Sequence, residues 1–170
     1  NRDIEIVVID GKRRFGNNLT FPAGPLRESK SRLNSVDFVV NNSGPTKDNE
    51  YLMNISPSKF IHLKTGKSYL IKDWHMHKQV NAVAGLGNPG RFFDLLARLG
   101  FDITMNSFPD HHKFDEEDLT FLDHLPIIMT EKDASKCRSF NNNKIWYLTI
   151  EADVSDKFIA ELDLKLKSLK

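Results

Sequence analysis

The sequence is short of several things, and each shortage excludes something. It holds one cysteine, Cys137, in 170 residues. No intramolecular disulfide can form, and a cysteine-rich zinc site is excluded. A reducing compartment fits that count. No apolar run nears the ~18 residues that a membrane-spanning helix requires. No signal peptide is visible. Neither sign of charge is in excess: 24 Lys and Arg face 23 Asp and Glu, for a net charge of +1. A general nucleic-acid binder, which carries a basic surplus on its binding module, is therefore disfavoured. Nor is the chain poor in apolar residues. At 39% hydrophobic it can bury a sizeable core, and the length suits one ordinary domain or one domain with part of another. It begins at Asn1 rather than Met and enters a strand almost at once, so the expectation is a piece of a longer polypeptide.

Hydrophobic patterning then predicts the elements. "IEIVVID" (4–10) suits a strand buried on both faces, and "VDFVV" (36–40) a second buried strand. A turn-rich stretch, 11–28, separates them, and 41–50 reads as a loop. "KFIHLKTGKSYLI" (59–71) alternates like a hairpin that turns near Thr65 and Gly66. Residues 74–78 read as a connector. "VNAVAG" (80–85), "FDITMNSF" (101–108), "PIIMT" (126–130) and "IWYLTI" (145–150) read as strands. Helices are predicted over 88–100, 115–125 and 131–140, and one more over the chain end, with Val154, Phe158, Ile159, Leu162, Leu166 and Leu169 at helical spacing. In the first of these, Asn88 is placed to cap, Pro89 fits the first turn and Gly100 the position just past the end. Asp115 with Asp118 forms a variant capping box for the second.

The fold class expected is α/β: parallel sheets with helices on both faces, the C-terminal part a Rossmann-like βαβαβαβα unit. The expected organisation is 1–50 as the tail of an upstream α/β domain, 51–78 as a β-hairpin linker and 79–170 as a C-terminal α/β domain.

In open parallel sheets ligands sit beyond the carboxyl ends of the strands. Three polar motifs fall there: "GLGNPG" (85–90), "PDHH" (109–112) and "TEKD" (130–133). The first matches the dinucleotide fingerprint in form, with Asp110 as the acidic residue for a ribose. Pro89, however, removes one of the N–H groups that would hold a pyrophosphate. A plain turn is the commoner meaning. A loop touching a phosphate or sugar through the Gly85 and Gly87 amides lies between.

Asp110, His111 and His112 could hold a metal, handle a proton, or lead structurally into the Asp115 cap. Neighbouring residues in extended chain point to opposite sides, so both histidines on one ion is disfavoured. Thr130 and Asp133 read first as a capping box, with Lys132 able to reach a phosphate. His75 and His77 in "WHMH" could bind a metal but read better as exposed linker residues. Cys137 reads as packing rather than nucleophile. "PAGPLRE" (22–28) makes a rigid bend, after which Arg27 is suited to bidentate phosphate contact, although a surface arginine beside its acidic neighbour Glu28 is the plainer meaning.

Taken together, "VVIDGKRRFGN…PAGPLRESKSRL", "NAVAGLGNPGRFFDLLARLGF", "FPDHHKFDEEDL", "LPIIMTEKDASKCRSF" and "IWYL" resemble the tetraacyldisaccharide 4′-kinase family, in order and over nearly the whole chain. The resemblance is weakest at 41–78 and in the final helix. It implies a P-loop-type kinase of two α/β domains joined by a β-ribbon, with ATP and Mg²⁺ in the cleft. The implied reaction moves the ATP γ-phosphate to the 4′-hydroxyl of a lipid A precursor in Gram-negative bacteria. It also implies a peripheral enzyme on the cytoplasmic face of the inner membrane.

By resemblance, Arg27 and Glu28 match "LRE" and His111 matches a histidine that supports an acidic catalytic base. Asp110 and His112 are its motif neighbours. Gly85, Gly87, Asn88 and Pro89 match "GxGNP", and Thr130, Glu131, Lys132 and Asp133 match "TEKD". The departure is that the chain contains no G-x-x-x-x-G-K-[ST] and no "DDGFQH". The expectation is therefore the C-terminal half of such a kinase, inactive alone, with strand edges open to self-association. Two other readings stay open on the residues alone: a metal phosphoesterase using Asp-His-His, and a non-catalytic nucleotide-binding module.

Overall fold

The β-branched run near the start becomes β1, Ile6–Asp10, and the second run becomes β2, Phe38–Asn42. They pair in parallel, Ile6 opposite Phe38 and Asp10 opposite Asn42. The computed structural model describes residues 2–169. The chain divides into two compact units, Asn1–Ser56 with Glu151–Lys170, and Pro57–Ile150.

The first unit is built on β1, β2 and the start of β3, Glu50–His62, which runs parallel to β2. One expectation is corrected here. β1 is not buried on both faces: Ile6 is 43% and Val8 57% exposed, and among the described residues β1 pairs only with β2, at the end of the strand order. The final helix, α3, spans Asp156–Ser168 and is capped by the Ser155 hydroxyl, which accepts the Phe158 N–H. Phe158 meets Phe38 and Tyr51, each with ring centroids at 5.4 Å. Tyr51 donates its hydroxyl to Glu161, and Lys165 lies 2.7 Å from Asp37. These contacts place the helix with the first unit. The compact units are thus drawn differently from the expected boundaries at 50 and 78. Of the apolar residues expected on the helix, Phe158 is buried, while Ile159, Leu166 and Leu169 are about half exposed.

The second unit holds the rest of β3, β4 (Ser68–Leu70), β5 (Gln79–Ala84), β6 (Asp102–Ser107), β7 (Ile127–Thr130) and the first part of β8 (Ile145–Val154). The hairpin between β3 and β4 turns as expected, with Gly66 at φ +69° and Phe60 opposite Tyr69. β5 pairs in parallel with β6 on one side and β7 on the other, and β7 pairs in parallel with β8. Alternate residues supply two apolar layers, as a two-residue period demands. Val80, Ala82, Ala84, Ile128, Trp146 and Leu148 face one way; Val83, Ile127, Met129 and Ile145 face the other.

Helix α1, Gly90–Arg98, covers the first layer with Phe92, Phe93 and Leu96, each contributing roughly 1.5–3 kcal/mol of burial. Pro89 already has helical dihedrals (φ −68°, ψ −25°), and its carbonyl accepts the Phe92 and Phe93 N–H groups. Asn88 does not cap: it makes no hydrogen bond among the described residues.

Two predicted helices shrink. Over 115–125 the reciprocal Asp115–Asp118 hydrogen bonds form at 3.0 and 3.1 Å, yet only one 3-10 turn follows, Glu117–Leu119. Leu119 is buried but Leu122 is fully exposed, so no continuous apolar face exists to hold a longer helix. Over 131–140 the α-helix α2 lasts only for Glu131–Ala134, and the chain continues in turns to Phe140. The second apolar layer is thus covered mainly by irregular chain, through Phe114, Leu119 and Cys137.

Candidate functional site

The chain leaves β5, adds β6 on one side, and returns to add β7 on the other. That reversal makes the carboxyl end of β5 a topological switch point, the usual ligand position in such sheets. The turns after β5, β6 and β7 carry "GLGNPG", "PDHH" and "TEKD", and the side chains show that the three are joined.

Asp133 is the centre of the join. Its side chain is wholly buried. Its Oδ2 accepts the Gly85 N–H at 3.0 Å and the Thr130 hydroxyl at 2.8 Å, and its Oδ1 accepts Lys136 at 3.0 Å. Thr130 returns the contact by accepting the Asp133 N–H at 3.2 Å. The expected capping box is therefore present, but it is only part of what this carboxylate holds. A Cβ on Gly85 would stand 3.2 Å from Asp133 Oδ1 and 3.3 Å from Phe114, which accounts for glycine there. The first N–H of the fingerprint-like loop is thus already taken by a carboxylate and is not aimed at a pyrophosphate.

Next to it, Lys132 donates to Asp110 Oδ1 at 3.0 Å and joins the turns after β6 and β7. That lysine, together with the nearby His111, holds the Asp110 carboxyl below its ordinary range. Asp110 also accepts the His111 N–H at 3.0 Å. The two histidines part company. His111 takes a left-handed φ of +62°, and its side chain is 78% exposed with Nε2 3.7 Å from Asp110. His112 turns inward, stacks on Phe108 at 4.7 Å, meets Phe114 edge-on at 4.9 Å and lies 2.8 Å from Asp118. They do not converge on one ion. Among the described residues no group of three or more His, Cys, Asp and Glu could hold a metal. Gly87 and Asn88 are exposed at the rim, as is Glu131.

In the first unit, Arg27 and Glu28 line a groove of about 500 Å³ with an apolar floor that includes Val7, Phe15, Leu26 and Leu33. Among the described residues the Arg27 side chain has no partner. Glu28 lies 3.2 Å from Arg32.

A family model described as "Tetraacyldisaccharide-1-P 4'-kinase" matches residues 1–167. The chain belongs to this family. It is 47% identical over 166 residues to the tetraacyldisaccharide 4′-kinase of Ruthia magnifica subsp. Calyptogena magnifica, spanning 98% of this chain and 52% of that protein. It is 48% identical over 157 residues to the one of Legionella pneumophila (strain Corby), spanning 92% of this chain and 47% of that protein. The chain therefore spans about half the length of the curated relatives it matches. Among solved structures it superposes on "apo" form LpxK from Aquifex aeolicus in complex with ATP. The TM-score is 0.77 at 21% identity, over 99% of this chain and 53% of that one, a likeness of fold.

Within the 4′-kinase family frame, the structure gathers Gly85, Gly87, Asp110, Thr130, Lys132 and Asp133 in one network and leaves His111, Asn88 and Glu131 open to solvent. Arg27 and Glu28 belong to the other unit. Sequence reasoning took Asp118 for a cap alone and missed the Phe108–His112–Phe114 stack that makes His112 a packing residue. Spacing carried no signal for either. His75, offered as a metal candidate with His77, instead packs on Tyr69 at 4.8 Å and lies 3.1 Å from the Asp73 carbonyl.

Proposed function

We propose that these residues form part of a kinase that moves the γ-phosphoryl group of ATP to the 4′-hydroxyl of a tetraacyldisaccharide 1-phosphate in lipid A synthesis. The observation that carries this reading is the network at the sheet edge: Lys132 on Asp110 at 3.0 Å, with the exposed His111 imidazole beside it. Phosphoryl transfer asks a protein mainly for positioning and for charge near the transferred group. His111 is free to turn toward a carboxylate and orient it or balance its charge. Lys132 is a cation at this sheet edge, and among the described residues Gly87 with Asn88 offers an unoccupied N–H and amide at the rim. Arg27 offers a planar donor fork for phosphate, with Glu28 beside it.

ATP supplies the transferred group when bound. The donors at the rim fit part of a nucleotide, but these 170 residues contain no P-loop to cradle its phosphates. Mg²⁺ belongs to the same reading, yet the described residues offer no group of three or more His, Cys, Asp and Glu that could hold it. A peripheral place on the cytoplasmic face of the inner membrane goes with a lipid acceptor. Among the described residues no helix is long and apolar enough to cross a membrane. The open edge of β1, with Ile6 and Val8 exposed, supports self-association of this chain in isolation.

The test is His111→Ala in a kinase of full family length that carries these residues. Turnover should fall by about 10²-fold, the scale on which misplacing a reacting group slows a reaction. Unchanged turnover would reduce the motif to a turn ahead of the Asp115–Asp118 cap.

A further inference from the structure

Asp133 makes more contacts than a helix cap requires. A capping carboxylate sits comfortably in water at the end of a helix, whereas this one is entirely buried. Burying a charge is unfavourable unless donors surround it. One of the donors here, the Gly85 N–H, comes from 48 residues away, in the turn after the neighbouring strand. The glycine fits it sterically as well as by hydrogen bonding, since any Cβ would crowd both the carboxylate and Phe114. The adjacent residue in sequence, Lys132, reaches the third turn by pairing with Asp110. Gly87 packs against the same Asp110, where a Cβ would stand 3.5 Å from Oδ2.

We infer that the buried Asp133 carboxylate is the positioning residue of this edge. By holding the Gly85 N–H on one side and the Thr130–Lys136 turn on the other, it fixes where Gly87, Asn88 and Lys132 stand and, through Lys132, Asp110 and His111. What the positioned His111 does rests on the kinase reading; that Asp133 positions it does not.

The experiment uses the 170-residue chain labelled with ¹⁵N. Asp133→Asn keeps the shape and one acceptor oxygen but removes the charge. The Gly85 amide proton should move upfield as it loses a carboxylate acceptor. Amides of Gly87, Asn88 and Asp110 to His112 should shift, and so should the His111 ring protons. The core amides of Val80 and Ile145 should hold. Lys132→Met, at an exposed site, should move Asp110 to His112 and leave Gly85 in place. If Asp133→Asn does not fold, Gly85→Ala keeps the backbone N–H but sets a Cβ 3.2 Å from Asp133 Oδ1 and 3.3 Å from Phe114, so it displaces the same carboxylate from the other side, and shifts at 87–88 and 110–112 are again expected. Changes confined to residue 85 and 130–137 in the Asp133 or Gly85 variant, or no change at 110–112 in Lys132→Met, would overturn the inference. Because the readout is geometric, unchanged turnover in His111→Ala would end the kinase role and leave this result standing.

Discussion

His112 Nε2 lies 2.8 Å from Asp118 Oδ2, and Asp118 also accepts the Asp115 N–H at 3.1 Å. One carboxylate therefore closes the 3-10 turn and pins the inward histidine of the Asp-His-His triplet. The hydrogen bond from His112 is the leading reason its carboxyl sits below the ordinary range. A carboxyl held low in the folded state contributes stability above its unfolded pKa, near 3.9, and loses it as pH falls through the lower folded value. Asp118→Asn should therefore be less stable than the parent at pH 6. The gap should narrow as the pH is brought toward 3 in urea titrations. A constant gap across that range would contradict the assignment.

The pattern of what was legible follows from distance along the chain. Strands β5, β7 and β8 were readable because their buried residues are written as local apolar runs, and the sheet edge where the motifs gather follows from that order. The helix at 115–125 was not, because its capping signal is genuine while its apolar residues lack a surface to cover: Leu122 points into solvent. The placement of α3 depends on Tyr51 meeting Glu161, 110 residues away, which no local pattern encodes. The same holds within the site. Local spacing gave Thr130 and Asp133 as a cap but could not reveal that Gly85 shares that carboxylate.

Arg14 and Glu50 form a two-pronged ion pair, 2.9 Å and 2.5 Å, with only 8% of the Glu50 side chain exposed. Glu50 also accepts the Lys47 N–H and an Asn41 amide hydrogen, and Arg14 leads in holding its carboxyl low. Glu50→Gln leaves the guanidinium without its charge partner and should cost roughly 1.5–3 kcal/mol in urea denaturation. A cost below about 0.5 kcal/mol would mean the pair behaves as an exposed one.

Cys137 is fully buried, and burial, with the nearby Asp133 charge, pushes its thiol up to about 11. At pH 8 almost none of it is thiolate, the reactive form. The native chain should resist iodoacetamide at pH 8 and label fully once unfolded in guanidinium. Rapid stoichiometric labelling of the native chain would show that the segment after α2 opens.

Gly11 and Gly66 make a matched comparison in which sterics and backbone preference can be told apart. Gly66 has a left-handed φ of +69° but open space where a Cβ would go, so Gly66→Ala should cost only the backbone penalty, about 1–2 kcal/mol. Gly11 closes β1 by donating its N–H to the Asn42 carbonyl at 3.0 Å. A Cβ there would fall 1.5 Å from the Ser43 carbonyl oxygen and 2.1 Å from Asn41 Oδ1. The first of these is backbone and cannot swing away, so the turns after β1 and β2 would have to separate. Gly11→Ala should therefore lower the melting temperature well beyond Gly66→Ala. It should also expose the first unit to protease while α1 and its core stay protected in hydrogen exchange. Equal losses in the two variants would mean that the loop at 43–44 moves aside without cost.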